Sequence, residues 1–470
     1  MANSYLSRTP SGAGSRVKWT YSVWLKRSKL GHQPIWAATT DGSNYDEFYF
    51  NSSDKIQFST VTSSSQKAIR TTRVFKDTSA WYHIVLVYDT GNSTDTDHAQ
   101  LWINGVRETS FEDTTLLASG ANNVQSNWNN TIEMKIGRVT TNTAAYFEGY
   151  MSHAAFVNDA VVAPTVFGGT DSTSGIWKFK SPSGVTWGTN GFHLKFENSG
   201  AMGTDSSGNT NTFTVNGNLK QALDTPSNVY ATINQLFSND DGDANALTDG
   251  NNTYTSTNRS EWNNMAMTLG ASTGKWYWEV KYTQLIDAST IYMADEGVAS
   301  TDLAAANLNL GEGSRSGYGY GWLCANRNTT SNTRYLKTVN GTTTLTTDSN
   351  NTPVSAGDIV GIAWDATNGK LWFHKNGTYI DDLSGNVGNP SSGAYPYHTG
   401  MQTGIMYTPW ADVWQNSSGS LLIKSYNFGN GFFGTTAITS AGSNGNGSLF
   451  EYDVPSGYYA LNTKNINTYG

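Results

Sequence analysis

The chain has 470 residues and uses 48 Gly, 16 Trp and 25 Tyr, whereas only 14% of its residues are charged. Its formal net charge is −8, spread without a concentrated basic face, which argues against nucleic-acid binding and against an anionic membrane surface. The aromatic content is too high for a disordered chain, and no long stretch has a helical period. We therefore expect an all-β protein of short strands joined by Gly/Asn turns.

The chain shows no export or membrane signal. Residues 1–15 are polar and lack the apolar segment of a secretory signal. The longest apolar stretch, His83 to Tyr88, is far too short to span a bilayer. The single cysteine, Cys324, excludes an intramolecular disulfide. We expect a chain made in the cytosol, without membrane insertion, whose stability comes from packing.

The first half of the chain contains several strand patterns. Val17 to Leu25 alternates apolar and polar residues, interrupted on the polar face only by Trp24, as in a half-buried strand. Trp81 to Tyr88 is apolar on both faces and predicts a central strand of a packed sandwich. Leu101 to Val106 enters an Asn-Gly turn, a strong hairpin signal. Further strands are predicted at Tyr45 to Phe50, Lys55 to Phe58, Glu133 to Gly137, Tyr146 to Val157 and Phe192 to Phe196.

The strand pattern fades between about Gly217 and Phe237. Within this segment, the turn-rich run Asp224 to Asn228 has no paired apolar alternation. We place a domain boundary there, which predicts one domain at residues 1–226 and a second domain, with a C-terminal extension, at residues 227–470.

Alternation begins again in the second half with Trp276 to Tyr282. Ile359 to Trp364 predicts a buried strand, Leu371 to Lys375 leads into a second Asn-Gly turn, and Leu421 to Phe428 is the last strong strand pattern. Both halves therefore use a buried strand ending in an aromatic residue and Asp, then a polar turn, then a Leu-Trp strand into Asn-Gly. We predict two tandem jelly-roll β-sandwich domains with loops at the sandwich ends.

No motif predicts catalysis. The seven histidines are scattered singly, with no pair at metal-ligand spacing and no cysteine beside them. Gly429 to Gly434 fits G-x-G-x-x-G, but the βαβ unit of a dinucleotide site is missing. Nucleophile-elbow and P-loop motifs are also missing. We predict that the chain is not an enzyme and has no catalytic residue, no metal and no cofactor.

Acidic residues offer alternatives to this prediction. Ca²⁺ prefers six to eight oxygen ligands from loops, and two loops carry such ligands, namely Asp240, Asp241, Asp243 and Asp249, and Asp89, Asp95 and Asp97. Neither loop has EF-hand spacing, so we expect solvated turns. A glycosidase needs two carboxylates across a cleft. The glutamates of the first-half strand segments, which we expect at ordinary outward positions, are Glu133, Glu148 and Glu197.

Aromatic residues in loops are the predicted ligand platforms, because a Trp or Tyr face stacks on a sugar or peptide at modest entropic cost. The segment Met406 to Ser418 predicts a loop with exposed Trp410 and Trp414, and Tyr45 and Trp128 are further candidates. The alternative is that these aromatic residues cover the sandwich edge or pack on a neighbouring subunit.

Each half carries segments that resemble a known domain family. In the first half these segments are Trp81 to Asp89, Leu101 to Gly105, Ile136 to Arg138 and Phe147 to Met151. They resemble a hairpin and the next two strands of laminin-G-like, concanavalin A-like domains, and the resemblance covers roughly residues 5–220. In the second half the segments are Gly274 to Val280, Gly297-Val298, Gly317 to Trp322, Gly357 to Gly361, Leu371 to Phe373 with Asn376-Gly377, and Asn427 to Gly429. In this order they are similar to SPRY domains, over about residues 255–430.

A third set of segments spans both halves: Tyr5 to Pro10, Gly175 to Trp177, Gly188 to Phe192, Asp205 to Asn209, Asp224 to Asn228 and Pro455 to Leu461. They resemble chains encoded by marine bacteriophages, which are usually described as virion structural or tail-fibre-like proteins. This resemblance implies a chain assembled in the host cytoplasm and displayed on the virus particle. A cytosolic chain without disulfides agrees with this, because viral structural proteins leave the cell by lysis.

The resulting prediction is a non-enzymatic virion surface protein, of fibre or receptor-binding type, that binds a host glycan or protein through sandwich loops. Two alternatives stay open: a capsid or tail decoration protein that binds only other virion subunits, and a polysaccharide depolymerase. The expected partners are other virion proteins and further copies of the chain, with a trimer favoured. No heptad segment shows how such a trimer would form.

Overall fold

The structure, a computed structural model, describes residues 4–139, 145–237, 247–256, 262–285, 292–300, 317–326, 333–339, 342–415 and 421–470. The chain divides into two compact units, of which the first comprises Met1–Gln221 with Thr225–Ser227 and the second comprises Ala222–Asp224 with Asn228–Gly470. Nearly all regular structure in the described residues is β, which confirms the predicted all-β class. No helix in these ranges is long and apolar enough to cross a membrane.

The first unit is built from short strands. In chain order they are β1 (Tyr5–Arg8), β2 (Lys18–Arg27), β3 (Gln33–Asp41), β4 (Asn44–Phe50), β5 (Ile56–Thr62), β6 (Ser65–Thr71), β7 (Tyr82–Asp89), β8 (Ala99–Ile103), β9 (Val106–Arg107), β10 (Phe111–Asp113), β11 (Met134–Ile136), β12 (Arg138–Val139), β13 (Ala145–Tyr146), β14 (Gly149–Asn158), β15 (Gly168–Thr170), β16 (Trp177–Phe179), β17 (Phe192–Leu194) and β18 (Thr214–Asn216). Single 3-10 turns lie at Asp95–Asp97, Ser119–Ala121 and Pro164–Val166.

Two antiparallel sheets form the sandwich of the first unit. One has eight strands in the order β10-β6-β5-β4-β3-β11-β1-β18, and the other has six in the order β17-β14-β2-β7-β8-β9. Their inner faces meet in an aromatic core, where the ring of Trp19 on β2 lies 5.8 Å from Trp36 on β3 and 5.9 Å from Phe58 on β5. The strand β7 lies between β2 and β8 and is buried along its whole length, which confirms the predicted central strand.

The second unit continues the numbering. Its strands are β19 (Leu247–Thr248), β20 (Thr253–Thr255), β21 (Trp262–Ala266), β22 (Lys275–Gln284), β23 (Tyr292–Ser300), β24 (Tyr318–Asn326), β25 (Thr333–Val339), β26 (Thr342–Asp348), β27 (Ile359–Asp365), β28 (Lys370–Lys375), β29 (Thr378–Tyr379), β30 (Tyr407–Gln415), β31 (Ile423–Asn427), β32 (Phe432–Phe433), β33 (Thr436–Ala437) and β34 (Tyr459–Ala460). A 3-10 turn lies at Gln235–Phe237, and a short helix, α1 (Thr463–Tyr469), follows the last strand.

The second unit is also a two-sheet sandwich. One sheet has the order β19-β20-β31-β22-β27-β28-β29 with β34 beside β22, and the other has the order β21-β30-β23-β24-β25-β26. The ring of Trp322 on β24 lies 5.8 Å from Phe373 on β28, so the core again joins the two sheets through aromatic side chains. The concanavalin A-like jelly-roll sandwich is thus the fold of the chain, as predicted.

The two Asn-Gly turns, one in each unit, have the same backbone conformation and make the same side-chain hydrogen bond. Asn104 and Asn376 have φ values of 49° and 52°, and the glycines after them have φ values of 78° and 83°, which is the mirror-image turn that suits the twist of a hairpin. Each asparagine side chain also accepts a hydrogen bond at 2.8 Å from the backbone N–H at the start of the preceding buried strand, at His83 and at Ile359. The internal echo predicted from the sequence is therefore a shared three-strand meander.

The predicted loop from Met406 to Ser418 is wrong over most of its length, because Tyr407–Gln415 is the strand β30. This strand lies between β21 and β23 and pairs with both over most of its length. Pro409 lies within this strand, and the sheet accommodates it. The helix α1 was also not predicted. Its N-cap residue Asn462 accepts a hydrogen bond from the backbone of Asn465 at 2.9 Å.

Candidate functional site

Three side chains on β4 form a half-buried row on the surface of the first unit. Side chains alternate along a strand, so Phe48 and Phe50 enter the core while Tyr45, Glu47 and Tyr49 lie on the outer face of the eight-stranded sheet. All three outward side chains are half-buried. We call the surface around them the tyrosine trough.

Small neighbours make the floor of the tyrosine trough. Glu47 is opposite Ala37 on β3 and Ser59 on β5, and both of these residues are buried. Hydrogen bonds fix the floor on one side, because the Ser59 hydroxyl accepts from the amides of Gln57 and Gln66, both at 2.9 Å. Glu47 therefore lies between Tyr45 and Tyr49 on the same face of β4, opposite one small side chain on each neighbouring strand.

Burial sets the electrostatics of the tyrosine trough. Removal from water raises the pKa of Glu47 to about 7, since desolvation disfavours the charged form. Burial, followed by the nearby Glu47 charge, raises the pKa of Tyr49 to about 12, and both also raise the pKa of Tyr45. A carboxyl group that is neutral below about pH 7 both donates and accepts hydrogen bonds, and the tyrosine faces are suited to stacking.

The tyrosine trough holds a single carboxyl group from β4. Asp46, the neighbour of Glu47 in sequence, points into the core and accepts hydrogen bonds from the Ser126 hydroxyl at 2.6 Å and from the Trp128 backbone at 2.8 Å. The three glutamates that were considered as candidate glycosidase carboxylates each form an ion pair with a lysine. The ion pairs are Glu133 with Lys135 at 2.6 Å, Glu148 with Lys29 at 2.9 Å and Glu197 with Lys195 at 3.7 Å.

Two of the predicted aromatic platforms are enclosed, so the prediction of their exposure is wrong. Trp128 is 0% exposed, because its backbone is tied to Asp46 and its ring packs 4.1 Å from Trp36. Trp410 is 1% exposed, and its indole N–H donates to Asp412 at 2.9 Å within the same strand. Trp414 is half-buried at the end of β30. Tyr45 is half-buried and lies on the same face of β4 as Glu47 and Tyr49.

The structure brings together two histidines that the sequence separates by 40 residues. His153 on β14 and His193 on β17 have ring nitrogens 3.3 Å apart, and Phe179 stacks on His153 with ring centroids 3.7 Å apart. Burial lowers the pKa of both histidines to about 4. Strand pairing creates this contact, and no spacing in the sequence signals it. In the described ranges, no group of three or more His, Cys, Asp or Glu side chains could hold a metal ion.

The structure describes only part of the first acidic loop, but it describes all three acidic residues of the second. Asp240, Asp241 and Asp243 lie outside the described residues. In the other loop, Asp89 is 3.6 Å from Lys18, Asp97 is 2.6 Å from Arg107, and Asp95 is 3.8 Å from His98. Each of these carboxylates therefore lies near a Lys, Arg or His side chain, as is common in an ordinary turn.

Comparison with known proteins gives one family match and several distant structural similarities. The family model Laminin_G_3, described as the concanavalin A-like lectin/glucanases superfamily, matches residues 2–167. No curated protein matches the chain significantly. The matched residues lie within the first unit, and the family description includes both lectins and glucanases.

Three solved structures illustrate the distant similarities. A putative carbohydrate binding protein from Bacteroides ovatus is 18% identical, with 48% of this chain and 59% of that chain covered and a TM-score of 0.28. The SPRY domain of human HERC1 is 12% identical, with coverage of 37% and 92% and a TM-score of 0.24. Domains LG4-5 of the mouse laminin alpha1 chain are 8% identical, with coverage of 93% and 89% and a TM-score of 0.28. At these TM-scores the similarities say nothing about ligands.

Proposed function

We propose that the first unit binds a glycan of uncharged sugars along the tyrosine trough. The observation that carries this proposal is the placement of Glu47 between Tyr45 and Tyr49, above the small side chains of Ala37 and Ser59. Tyrosine faces stack on sugar rings, and the carboxyl group can hydrogen-bond to sugar hydroxyls. The match of residues 2–167 to a lectin and glucanase family supports this choice.

A glycan array probed with the full-length chain, followed by calorimetry on the best glycan, tests the proposal. Tyr45→Ala and Tyr49→Ala should each weaken binding about tenfold, because each removes one stacking face. Tyr146→Ala is the matched control, since Tyr146 is a half-buried tyrosine of the same unit that stacks on Arg138 at 5.1 Å. Unchanged binding by the Tyr45→Ala/Tyr49→Ala double variant, or no glycan signal from the wild-type chain, would reject the proposal.

We also propose that binding is not followed by hydrolysis. Glycosidases of the common types use two carboxyl groups about 5–9.5 Å apart, whereas Glu47 is the carboxyl group of β4 that faces the tyrosine trough. Incubation of the chain with the bound polysaccharide should therefore release no reducing ends. Release that disappears in Glu47→Gln would instead establish a depolymerase.

The proposed setting of this activity is the surface of a virus particle, where the chain touches a host glycan. Support comes from the bacteriophage-like segments of the sequence, such as Tyr5 to Pro10 and Pro455 to Leu461. A shallow surface gives modest affinity per copy, which many copies on one particle would raise. Mass spectrometry and antibody labelling of purified particles test the location. A particle-bound chain without glycan binding would support the decoration protein instead.

A further inference from the structure

The strand β26 (Thr342–Asp348) is the outer strand of the six-stranded sheet in the second unit. Among the described residues its one pairing partner is β25, over seven residues without a register shift. Most of its side chains are exposed, including Leu345 at 39%. An edge strand of this kind presents a row of unpaired backbone N–H and C=O groups to its surroundings.

No other edge of the four large sheets in the described residues has these properties. The outer strands of the other three sheets have two or three residues each, namely β9, β10, β17, β18, β19 and β29. The opposite edge of the same sheet, β21, has five residues, but Asn263, Asn264 and Met265 on it are buried. Proteins commonly prevent their sheet edges from pairing with other chains by keeping the edge strands short or covered. The strand β26 is longer than the other edge strands, and most of its side chains are exposed.

The sequence of β26 also lacks the usual protection against strand pairing. The residues Thr-Thr-Thr-Leu-Thr-Thr-Asp contain no Lys and no Pro, and threonine favours strands. The one charged residue, Asp348, is 1% exposed. Its carboxylate accepts hydrogen bonds from the Tyr397 hydroxyl at 2.9 Å and from the Asn351 amide at 2.8 Å. The exposed part of the strand is therefore neutral.

We propose that β26 pairs antiparallel with β26 of a second copy of this chain, with the twofold axis at Leu345. This register places Leu345 opposite the partner's Leu345 and Thr344 opposite the partner's Thr346, so no like charges meet. Leu345 is directly opposite the buried Leu336 on β25, so the partner's Leu345 would continue a row of leucine side chains across the joined sheet. Because the interface is self-complementary, it closes with two copies and gives a dimer rather than the predicted trimer.

The dimer is weak when free in solution. Seven residues per copy bury less than the roughly 1,200 Å² of total surface that stable interfaces reach. A dissociation constant in the micromolar range is therefore expected. Copies held near one another on a larger assembly would pair more completely, because their effective concentration is higher.

Sedimentation velocity of the full-length chain across the micromolar range tests the proposal. Leu345→Lys places a charge on the edge and should weaken dimerisation at least tenfold. Val215→Lys is the matched control, because Val215 is also 39% exposed and also lies on an edge strand, β18. We expect Val215→Lys to dimerise like the wild-type chain. A wild-type chain that stays monomeric or forms trimers, or a Leu345→Lys variant that dimerises normally, overturns the proposal.

Cross-linking tests the register separately. The only native cysteine, Cys324, is buried, so Leu345→Cys adds the one accessible thiol of the chain. Directly opposed residues of an antiparallel pair have Cα atoms about 4.5–5.5 Å apart, which is within the range of a disulfide. Mild oxidation should therefore give covalent dimers of Leu345→Cys much faster than of Val215→Cys. Equal rates for the two variants contradict the twofold axis at Leu345.

Discussion

Arg27 shows how a single charged residue is held inside the first unit. Its side chain is 0% exposed, and its guanidinium lies 2.9 Å from the Asp54 carboxylate and 4.2 Å from the ring centre of Phe50. It also donates to the backbone carbonyls of Phe75 at 2.6 Å and Gly31 at 2.9 Å. Burial lowers the pKa of Arg27 and Asp54 opposes that shift. Further hydrogen bonds from both terminal nitrogens of the guanidinium offset the cost of burying this pair.

Arg27→Ala should lower the free energy of unfolding by about 3–5 kcal/mol, because it leaves the Asp54 carboxylate buried without its cation. The matched control is Lys29→Ala, which removes an ion pair to Glu148 of the same 2.9 Å length whose lysine side chain is 32% exposed. The control should cost less than about 1 kcal/mol. Urea denaturation followed by fluorescence measures both values. Equal losses would mean that burial does not decide the strength of the Arg27 pair.

Glu47 makes the stability of the first unit depend on pH. Its pKa is raised to about 7 from an ordinary 4.5, so between these values the folded state binds a proton that the unfolded state has lost. The contribution to stability is full below about pH 4.5 and is lost as the pH rises through about 7. Glu47→Gln removes this loss and should be more stable than wild type by about 2 kcal/mol at about pH 8, after an allowance for its partial exposure.

Urea denaturation of wild type and Glu47→Gln at about pH 5 and about pH 8 checks this prediction. The difference between the two proteins should be small at the lower pH and should grow at the higher pH. Glu197→Gln, at a side chain that is 68% exposed, controls for the change from Glu to Gln. A constant difference between wild type and Glu47→Gln across this range would contradict the raised pKa.

Single elements were predictable where one strand carries its own pattern. The alternation around Trp19 and the apolar run before Asp89 gave β2 and β7, and the Asn-Gly turn gave the hairpin after β8. The strand β30 was missed because its position depends on pairing with two neighbouring strands, which its own sequence does not show. One residue of the tyrosine trough was predicted from the sequence, but the grouping was not. Tyr45 was a candidate, but its grouping with Glu47 over Ala37 and Ser59 depends on the register of three strands.

The Asn-Gly turns carry a prediction that applies equally to both units. Asn104→Gly and Asn376→Gly keep the positive φ but remove the side-chain acceptor of the His83 and Ile359 N–H groups. Each change should cost about 1–2 kcal/mol of unfolding free energy and should speed hydrogen exchange at the start of β7 or β27. Asn446→Gly, at an exposed residue with a φ of 51°, should cost less. Unchanged exchange in both variants would show that the turn backbone alone holds these strands.

At the scale of the whole chain, each unit has its own hydrophobic core. The first core runs from Leu6 to Phe213 in sequence, and the second runs from Tyr230 to Leu461. Neither core uses a disulfide, because Cys324 is the sole cysteine. Its thiol lies buried 3.0 Å from the Tyr282 hydroxyl, and burial raises its pKa. Stability in each unit therefore comes from packing between two sheets.

Because each core is complete within its unit, residues 1–221 and residues 228–470 should each fold when expressed alone. Each piece should unfold cooperatively and show near-ultraviolet circular dichroism from packed aromatic side chains, and residues 1–221 should keep the glycan binding proposed for the tyrosine trough. The control is residues 1–190, which lacks β17 and β18 and so loses Phe192, Leu194 and Phe213 from the first core. This shorter piece should fail to fold, since large core side chains each contribute several kcal/mol. If residues 1–221 fail in the same way, the first core must depend on side chains beyond its own unit.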